Sequence, residues 1–230
     1  MPMYLKRDAI RFIEASVSAI SMAVAALGMP RRYDFREEAA ENAVAIGLAG
    51  VAAELSMSAV IVQAQGEDAL KFPTGFYKTG SHIVDDFKKL VGSQIPKMMF
   101  LTQGIEEPSA HIAKLLEMAS KLKLLTKLRA GGLHAGRGPS MDVSIACVND
   151  VIAFISLLGA SSRIKSYVDT LPKPIIITKS YDLIVDELIQ KIAQSNTTLE
   201  KVSSLASVYL VIPELPDDEP EWFPAFERAL

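Results

Sequence analysis

Apolar residues recur at every third or fourth position over much of the chain, which is the spacing of one buried face of an α-helix. The first such stripe lies within residues 4–27 and predicts a helix there. Gly28 and Pro30 follow the stripe and are expected to end this helix. The stripe consists of Leu5, Ile10, Ile13, Val17, Ile20, Val24 and Leu27.

The same spacing, together with residues that favour the first turn of a helix, predicts four further helices. Asp34, with Glu37 three residues later, resembles a capping box at the start of the second helix. Pro108 and Ser140 stand where prolines and serines commonly begin helices. The four helices are predicted over residues 34–65, 81–90, 108–128 and 140–158.

A ridge of small side chains runs along the second predicted helix and would let a neighbouring helix approach closely. It has two interpretations, a seam between two copies of the chain or tight packing inside one bundle, and we favour the second. Glu54 lies in the apolar middle of this helix, where it either faces a polar site or is a snorkelling or hydrogen-bonded carboxylate. The ridge consists of Ala39, Ala43, Gly47 and Gly50.

The connection after this helix, residues 66–80, contains a proline, three glycines and three aromatic residues. We interpret it as a structured connection. Phe76 and Tyr77 are expected to cover the core, and stacking on nucleic-acid bases is the alternative.

The helical pattern weakens beyond Arg163, which divides the chain into a main bundle and smaller parts. Residues 1–170 are predicted to form an all-α bundle. Residues 171–212 form a small, mostly helical appendage, with a short strand at 175–178 and helices at 181–194 and 198–211. Residues 213–230 form an acidic, proline-rich tail or linker, and the sequence leaves open whether the natural protein continues beyond Leu230.

Composition excludes several classes of function. Half of the 230 residues are apolar, and a net charge of −3 gives no general attraction to nucleic acid or to anionic lipid. The single cysteine, Cys147, cannot form an internal disulfide, and the three histidines lack metal-ligand spacing. We therefore expect a cytoplasmic protein with no metal site, no cofactor and no membrane insertion.

A glycine-rich stretch over residues 127–138 gathers Arg129 and His134 between two long predicted helices. On an uninterrupted helix, five positions would rotate the two side chains about 140° apart. A break at Gly131 and Gly132 would turn His134 towards Arg129, so these two glycines are expected to shape a turn that creates a shared site.

An arginine and a histidine at one site suit the cleavage of a phosphodiester without a metal ion. A guanidinium offers aligned donors to a phosphate and stabilises the charge that grows on its oxygens. Histidine titrates near neutrality and can move the proton of a reacting oxygen. With the 2′-hydroxyl of RNA as the nucleophile, the two groups would suffice for cleavage.

The segment from Arg129 to His134 resembles the Arg-(four to six residues)-His signature of HEPN domains, which occur in many bacterial toxins and antiphage ribonucleases. The resemblance covers residues 4–170. It implies a helical bundle, a homodimer with two motifs at one cleft, and a metal-independent endoribonuclease whose catalytic pair is Arg129 and His134. Lys127 and Arg137 flank the motif and are candidates to hold the RNA backbone. In a toxin system, a neutralising antitoxin would be a further partner.

Two alternatives stay open at this point. Ala130 follows Arg129 where many active HEPN members have a polar residue. This favours a non-catalytic HEPN-like module that binds RNA, a nucleotide or a partner protein. The other alternative is a purely structural bundle, in which Arg129 satisfies carbonyls at a helix end and His134 packs at the turn.

Overall fold

A computed structural model of the chain describes residues 4–27, 35–93, 99–135, 139 and 141–175. The chain divides into two compact units, one of residues 1–27 and 31–172, the other of residues 28–30 and 173–230. Nearly all of the described residues belong to the first unit. The helices predicted at 181–194 and 198–211, most of the strand at 175–178, and the acidic tail lie outside the described residues.

The described part of the chain is all-α. Residues 71 and 77 form an isolated β-bridge, and the described residues contain no strand. Short 3-10 turns occupy Glu67–Leu70 and Lys165–Tyr167. The helices are α1 (Arg7–Leu27), α2 (Phe35–Gln65), α3 (Ser81–Gly92), α4 (Met99–Thr102), α5 (Pro108–Ala135) and α6 (Met141–Gly159).

The predicted helices correspond to α1, α2, α3, α5 and α6, with differences at their ends. Helix α1 begins three residues later than predicted, and α3 continues to Gly92. The short helix α4 overlaps residues 96–101, where the sequence allows one helical turn or two without fixing their place. The largest difference is at α5, which was predicted to stop before Gly131 and instead continues to Ala135.

Helix α2 is the central element of the bundle and packs against α1, α3, α5 and α6. Helix α3 also meets α6, where the rings of Phe87 and Phe154 are 5.6 Å apart in an edge-to-face arrangement. The largest fully buried side chains come from all six of these helices. They are Phe87, Phe154, Ile20, Leu27, Ile46, Met57, Ile61, Leu101, Leu115, Leu122, Ile152 and Ile155.

The small-residue ridge of α2 lies inside this bundle. Ala43, Gly47 and Gly50 are buried within a single chain. Their burial supports the favoured interpretation, in which small side chains allow close helix packing. The side chain of Ala39 lies outside the described part.

Within the described residues, two helices are long and apolar enough to span a membrane by length and composition alone, Arg7–Leu27 and Asn42–Gln65. Half of the first span and 72% of the second are buried inside the chain. A core helix of a soluble protein passes the same test. Packing within the bundle therefore accounts for much of the apolar character of α2.

His111, in the first turns of α5, is a buried histidine with an unusual environment. The residue is 8% exposed, and among the described residues its Nε2 has no hydrogen-bond partner. Burial lowers the pKa of His111 below its ordinary value of 6.5, and a hydrogen bond with the Leu101 backbone offsets part of this effect. The folded protein therefore favours the neutral imidazole.

We expect His111 to make stability depend on pH. Because its pKa is lower in the folded state, the unfolded chain takes up a proton first as the pH falls below about 6.5, and the folded state then loses stability. Above that pH the imidazole of His111 is neutral in both the folded and the unfolded chain, so this loss of stability is absent. Urea unfolding gives the free energy of unfolding of the wild type and of His111→Gln. The wild-type value minus the variant value should therefore be smaller at about pH 5.5 than at about pH 7.5. An equal difference at both pH values would contradict the prediction.

Candidate functional site

The candidate site begins with an ion pair between α5 and α2. The guanidinium of Arg129 donates from Nη1 to Oε1 of Glu54. The two side chains are only 24% and 12% exposed, respectively. A partly buried carboxylate without a partner would be costly, and Arg129 supplies the opposite charge. Glu54 thus holds the arginine in a defined position.

Gly50 makes room for the stem of Arg129. It lies one turn before Glu54 on α2, and a Cβ placed on it would be 2.8 Å from both Cβ and Cδ of Arg129. Such a contact is closer than carbon atoms tolerate, so Arg129 can pack here only because position 50 has no side chain. The sequence marked Gly50 as part of the ridge without connecting it to Arg129.

A third group joins this ion pair from the connection before α3. The backbone N–H of Gly80 donates to Oε1 of Glu54 at 2.9 Å. Gly80 has a φ of 56° with a ψ of −125°, a conformation that side chains disfavour. One carboxylate oxygen therefore links α2, α5 and the loop that precedes α3. Both interpretations of Glu54 hold, since it is hydrogen-bonded and faces a polar site.

The ion pair lines a cleft with a volume of about 350 Å³. This volume lies at the small end of the range of ligand pockets. Apolar side chains of α1, α2 and α3 form part of its wall. Its polar lining residues are Glu54, Ser58, Glu67, Tyr77, Lys78 and Arg129.

The loop between α2 and α3 contributes to the same cleft and is well ordered by hydrogen bonds. The N–H of Phe72 donates to the carbonyl of Phe76 at 2.8 Å, and the N–H of Lys78 donates to the carbonyl of Leu70 at 2.7 Å. The expectation that Phe76 and Tyr77 cover the core is wrong, because the two residues are 76% and 54% exposed.

The break expected at Gly131 and Gly132 is absent. Helix α5 continues through both glycines to Ala135, so their predicted turn-shaping role is wrong. Glycine lowers helix stability without forbidding the helix, and here helical hydrogen bonding prevails. On this continuous helix, positions 129 and 134 are about 140° apart around the axis. The backbone of one chain does not bring them to one face.

Of the three other predicted site residues, two are described only by their backbone. Position 134 lies in the last turn of α5 and position 127 lies two turns earlier, and the side chains of His134 and Lys127 are outside the described part. Arg137 lies entirely outside the described residues. Their roles therefore stay predictions.

Other lysines of α5 are paired with carboxylates on the surface. Lys123 contacts Asp85 of α3 at 2.7 Å, and Lys121 contacts Glu117 at 3.2 Å. Such pairs are typical of a solvated outer face, where neighbouring carboxylates balance the lysine charges.

Metal and thiol chemistry gain no support within the described residues. No group of three His, Cys, Asp or Glu side chains there is arranged to hold a metal ion. Burial raises the pKa of the Cys147 thiol, and the charge of Asp150 raises it further. A raised pKa leaves less thiolate at neutral pH, so Cys147 is a poor nucleophile.

Comparisons of the chain with protein-family models, curated proteins and solved structures find no match. We therefore infer the function from the residues of the cleft and of the motif.

We expect the Glu54–Arg129 pair to show measurable coupling in a double-mutant cycle. Glu54→Gln and Arg129→Met keep the approximate shapes and remove the charges. Since the pair is partly buried, the coupling in the free energy of unfolding should be about 1–2 kcal/mol, above the range of exposed pairs. The exposed pair of Asp8 and Arg11, at 3.4 Å, is the control and should give less than about 0.5 kcal/mol. Equal coupling in the two pairs would contradict this prediction.

Substitution of Gly50 should displace Arg129. In Gly50→Ala the new methyl group overlaps the arginine stem, at a cost of about 1–3 kcal/mol, which exceeds the gain of up to about 1 kcal/mol from removing a helical glycine. Urea unfolding should therefore show a net loss of stability. Gly92→Ala is the control, because a Cβ there meets no described atom within 4 Å. A Gly50→Ala variant as stable as the wild type would show that the helices separate easily.

Proposed function

We propose that the chain is a metal-independent endoribonuclease with a HEPN-like bundle, acting in a toxin or antiphage defence system. Arg129 stabilises the scissile phosphate, and His134 is the general acid or base. The observation that carries the proposal is the position of Arg129. Its guanidinium is partly buried, anchored by Glu54, and lines a cleft.

An anchored guanidinium suits phosphate chemistry better than a mobile one. A guanidinium has five N–H donors, and the pair with Glu54 engages one nitrogen, Nη1. The remaining donors allow it to hold a phosphate oxygen while Glu54 keeps it in place. Because the donors are already oriented, they need little rearrangement when charge develops on the phosphate.

The proposal requires two copies of the chain. Positions 129 and 134 are about 140° apart around α5, so one helix does not present both to one phosphate. In a twofold dimer, Arg129 of one copy can meet His134 of the other, and the symmetry creates two equivalent sites. The turn at the two glycines was expected to bring Arg129 and His134 together. In this proposal, the homodimer that the HEPN resemblance implies has that role.

The first test is cleavage of total RNA and transfer RNA in the presence of EDTA. The wild type should cleave, and Arg129→Ala and His134→Ala should each lower the rate by about 100-fold or more, because each removes a group acting in the transition state. Lys114→Ala removes an exposed positive charge from α5 and is the control, with cleavage near that of the wild type. Cleavage that survives both site substitutions would contradict the proposal.

A mixing experiment tests the shared site. If the pair acts across the dimer, an Arg129→Ala chain and a His134→Ala chain together form one complete site. After subunit exchange, a 1:1 mixture should recover about one quarter of the wild-type rate, because half of the dimers are mixed and each has one complete site. A mixture as inactive as its components would show that the pair acts within one chain or that no dimer forms.

A non-catalytic RNA-binding module is the second candidate, and the ion pair itself favours it. Glu54 neutralises the charge of Arg129 in the described structure, as expected for a residue that joins two helices. Binding of RNA without cleavage by the purified wild type would support this candidate. Growth inhibition on expression that His134→Ala abolishes would favour the enzyme, and a co-expressed antitoxin would relieve that inhibition.

A further inference from the structure

The loop of residues 71–78, here called the aromatic loop, exposes a phenylalanine at an ordered position. Phe76 is 76% exposed, although exposure of a large apolar ring to water is unfavourable. The loop is ordered around it, because the Phe72 and Phe76 backbones are hydrogen-bonded and positions 71 and 77 form a β-bridge. The ring of Phe72 packs edge-on against His82, with centroids 5.1 Å apart. The exposed ring is therefore held by a defined backbone.

The aromatic residue that follows Phe76 in the loop, Tyr77, lines the cleft of Arg129. Tyr77 and Lys78 line that cleft together with Arg129. The hydroxyl of Tyr77 donates to Glu67 at 2.8 Å, which fixes its orientation. The aromatic loop therefore contributes the two residues that follow Phe76 in the sequence to the wall of this cleft.

The lysines of the loop are already paired with acids. Lys71 contacts Asp68 at 3.0 Å, and Lys78 contacts Asp86 at 2.8 Å. The Lys71 Nζ also lies 5.4 Å from the centre of the Tyr77 ring. Since these charges are locally compensated, the loop has little excess charge to attract phosphates. What it offers a ligand is the face of an aromatic ring.

We infer that the aromatic loop binds an unpaired nucleobase of single-stranded RNA by stacking on Phe76, with the adjoining phosphate directed towards Arg129. The inference rests on the proposed function, because it names the substrate class of that cleft. Stacking on an aromatic side chain requires only one exposed ring and tolerates any base. A base inside a duplex has no free face, so the site selects unpaired RNA.

A protein partner fits these observations less well. A stable protein interface usually buries about 800 Å² on each side and has a contiguous apolar centre. Beside Phe76, the loop exposes Pro73, Thr74 and Gly75, which offer little apolar surface. An exposed phenylalanine ring beside small residues, on a loop that lines the cleft of Arg129, matches one nucleotide.

The test measures binding to a short 2′-O-methyl single-stranded RNA, which lacks the attacking hydroxyl and stays intact. Fluorescence anisotropy would compare the wild type with Phe76→Ala and Phe76→Trp, and would use a duplex of the same length as a second probe. Loss of one stacked base should weaken single-strand binding by roughly 5- to 100-fold in Phe76→Ala, and Phe76→Trp should retain it. Duplex binding should change little. Leu124→Ala is the matched control, because Leu124 is a similarly exposed apolar residue on α5.

Salt dependence separates stacking from phosphate contacts. Phe76→Ala should leave the slope of log affinity against log salt unchanged, whereas Arg129→Ala should reduce it by about 0.7, the value for one phosphate of a single strand. If Phe76→Ala binds as the wild type does, or weakens single strand and duplex equally, the inference is overturned.

Cleavage of unmodified RNA tests the proposed enzyme separately from the loop. Phe76-dependent binding without cleavage supports the aromatic loop as a base-binding site and argues against the enzyme. Cleavage that depends on Arg129 and His134 while Phe76→Ala binds normally supports the enzyme and overturns the loop inference. A wild-type protein that binds neither the single strand nor the duplex also overturns the loop inference. Contact of Phe76 with a co-purified protein in that case would identify a protein partner instead.

Discussion

The shared carboxylate of Glu54 is the interaction on which the described site depends. Its Oε1 accepts hydrogen bonds from the Arg129 guanidinium and from the Gly80 backbone. A charge in the middle of an apolar helix would ordinarily weaken a bundle, because its desolvation is costly. Here the same charge joins α2, α5 and the loop before α3 at one point. The stability of this region and the orientation of Arg129 therefore have a common cause.

Much of the fold follows from the sequence, because local signals determine most helices. The three-to-four spacing predicts α1, α2, α5 and α6, and Ser81 marks the start of α3. The course of α5 beyond residue 128 was not predictable in this way. Two adjacent glycines reduce helix propensity by about 1 kcal/mol each, yet helical hydrogen bonding prevails through Ala135.

The candidate site was predictable only in part, because its contacts join residues far apart in the sequence. Glu54 and Gly50 each stood out along α2, the first as a charge among apolar residues and the second as part of a ridge. Periodicity places residues on faces of one helix but does not pair faces of different helices. The sequence thus identifies Arg129 and Glu54 separately. Their pairing across 75 positions requires the packing of α2 against α5.

The close approach of Gly50 and Arg129 has an evolutionary consequence. With a Cβ at position 50 only 2.8 Å from the arginine stem, the two positions cannot vary independently while the helices keep their spacing. Among homologous chains, arginine at 129 should coincide with glycine at 50. Chains with a larger residue at 50 should show compensating changes at 129 and at Glu54. If residues 50, 54 and 129 change together among homologous chains, this would indicate that selection has maintained the arginine.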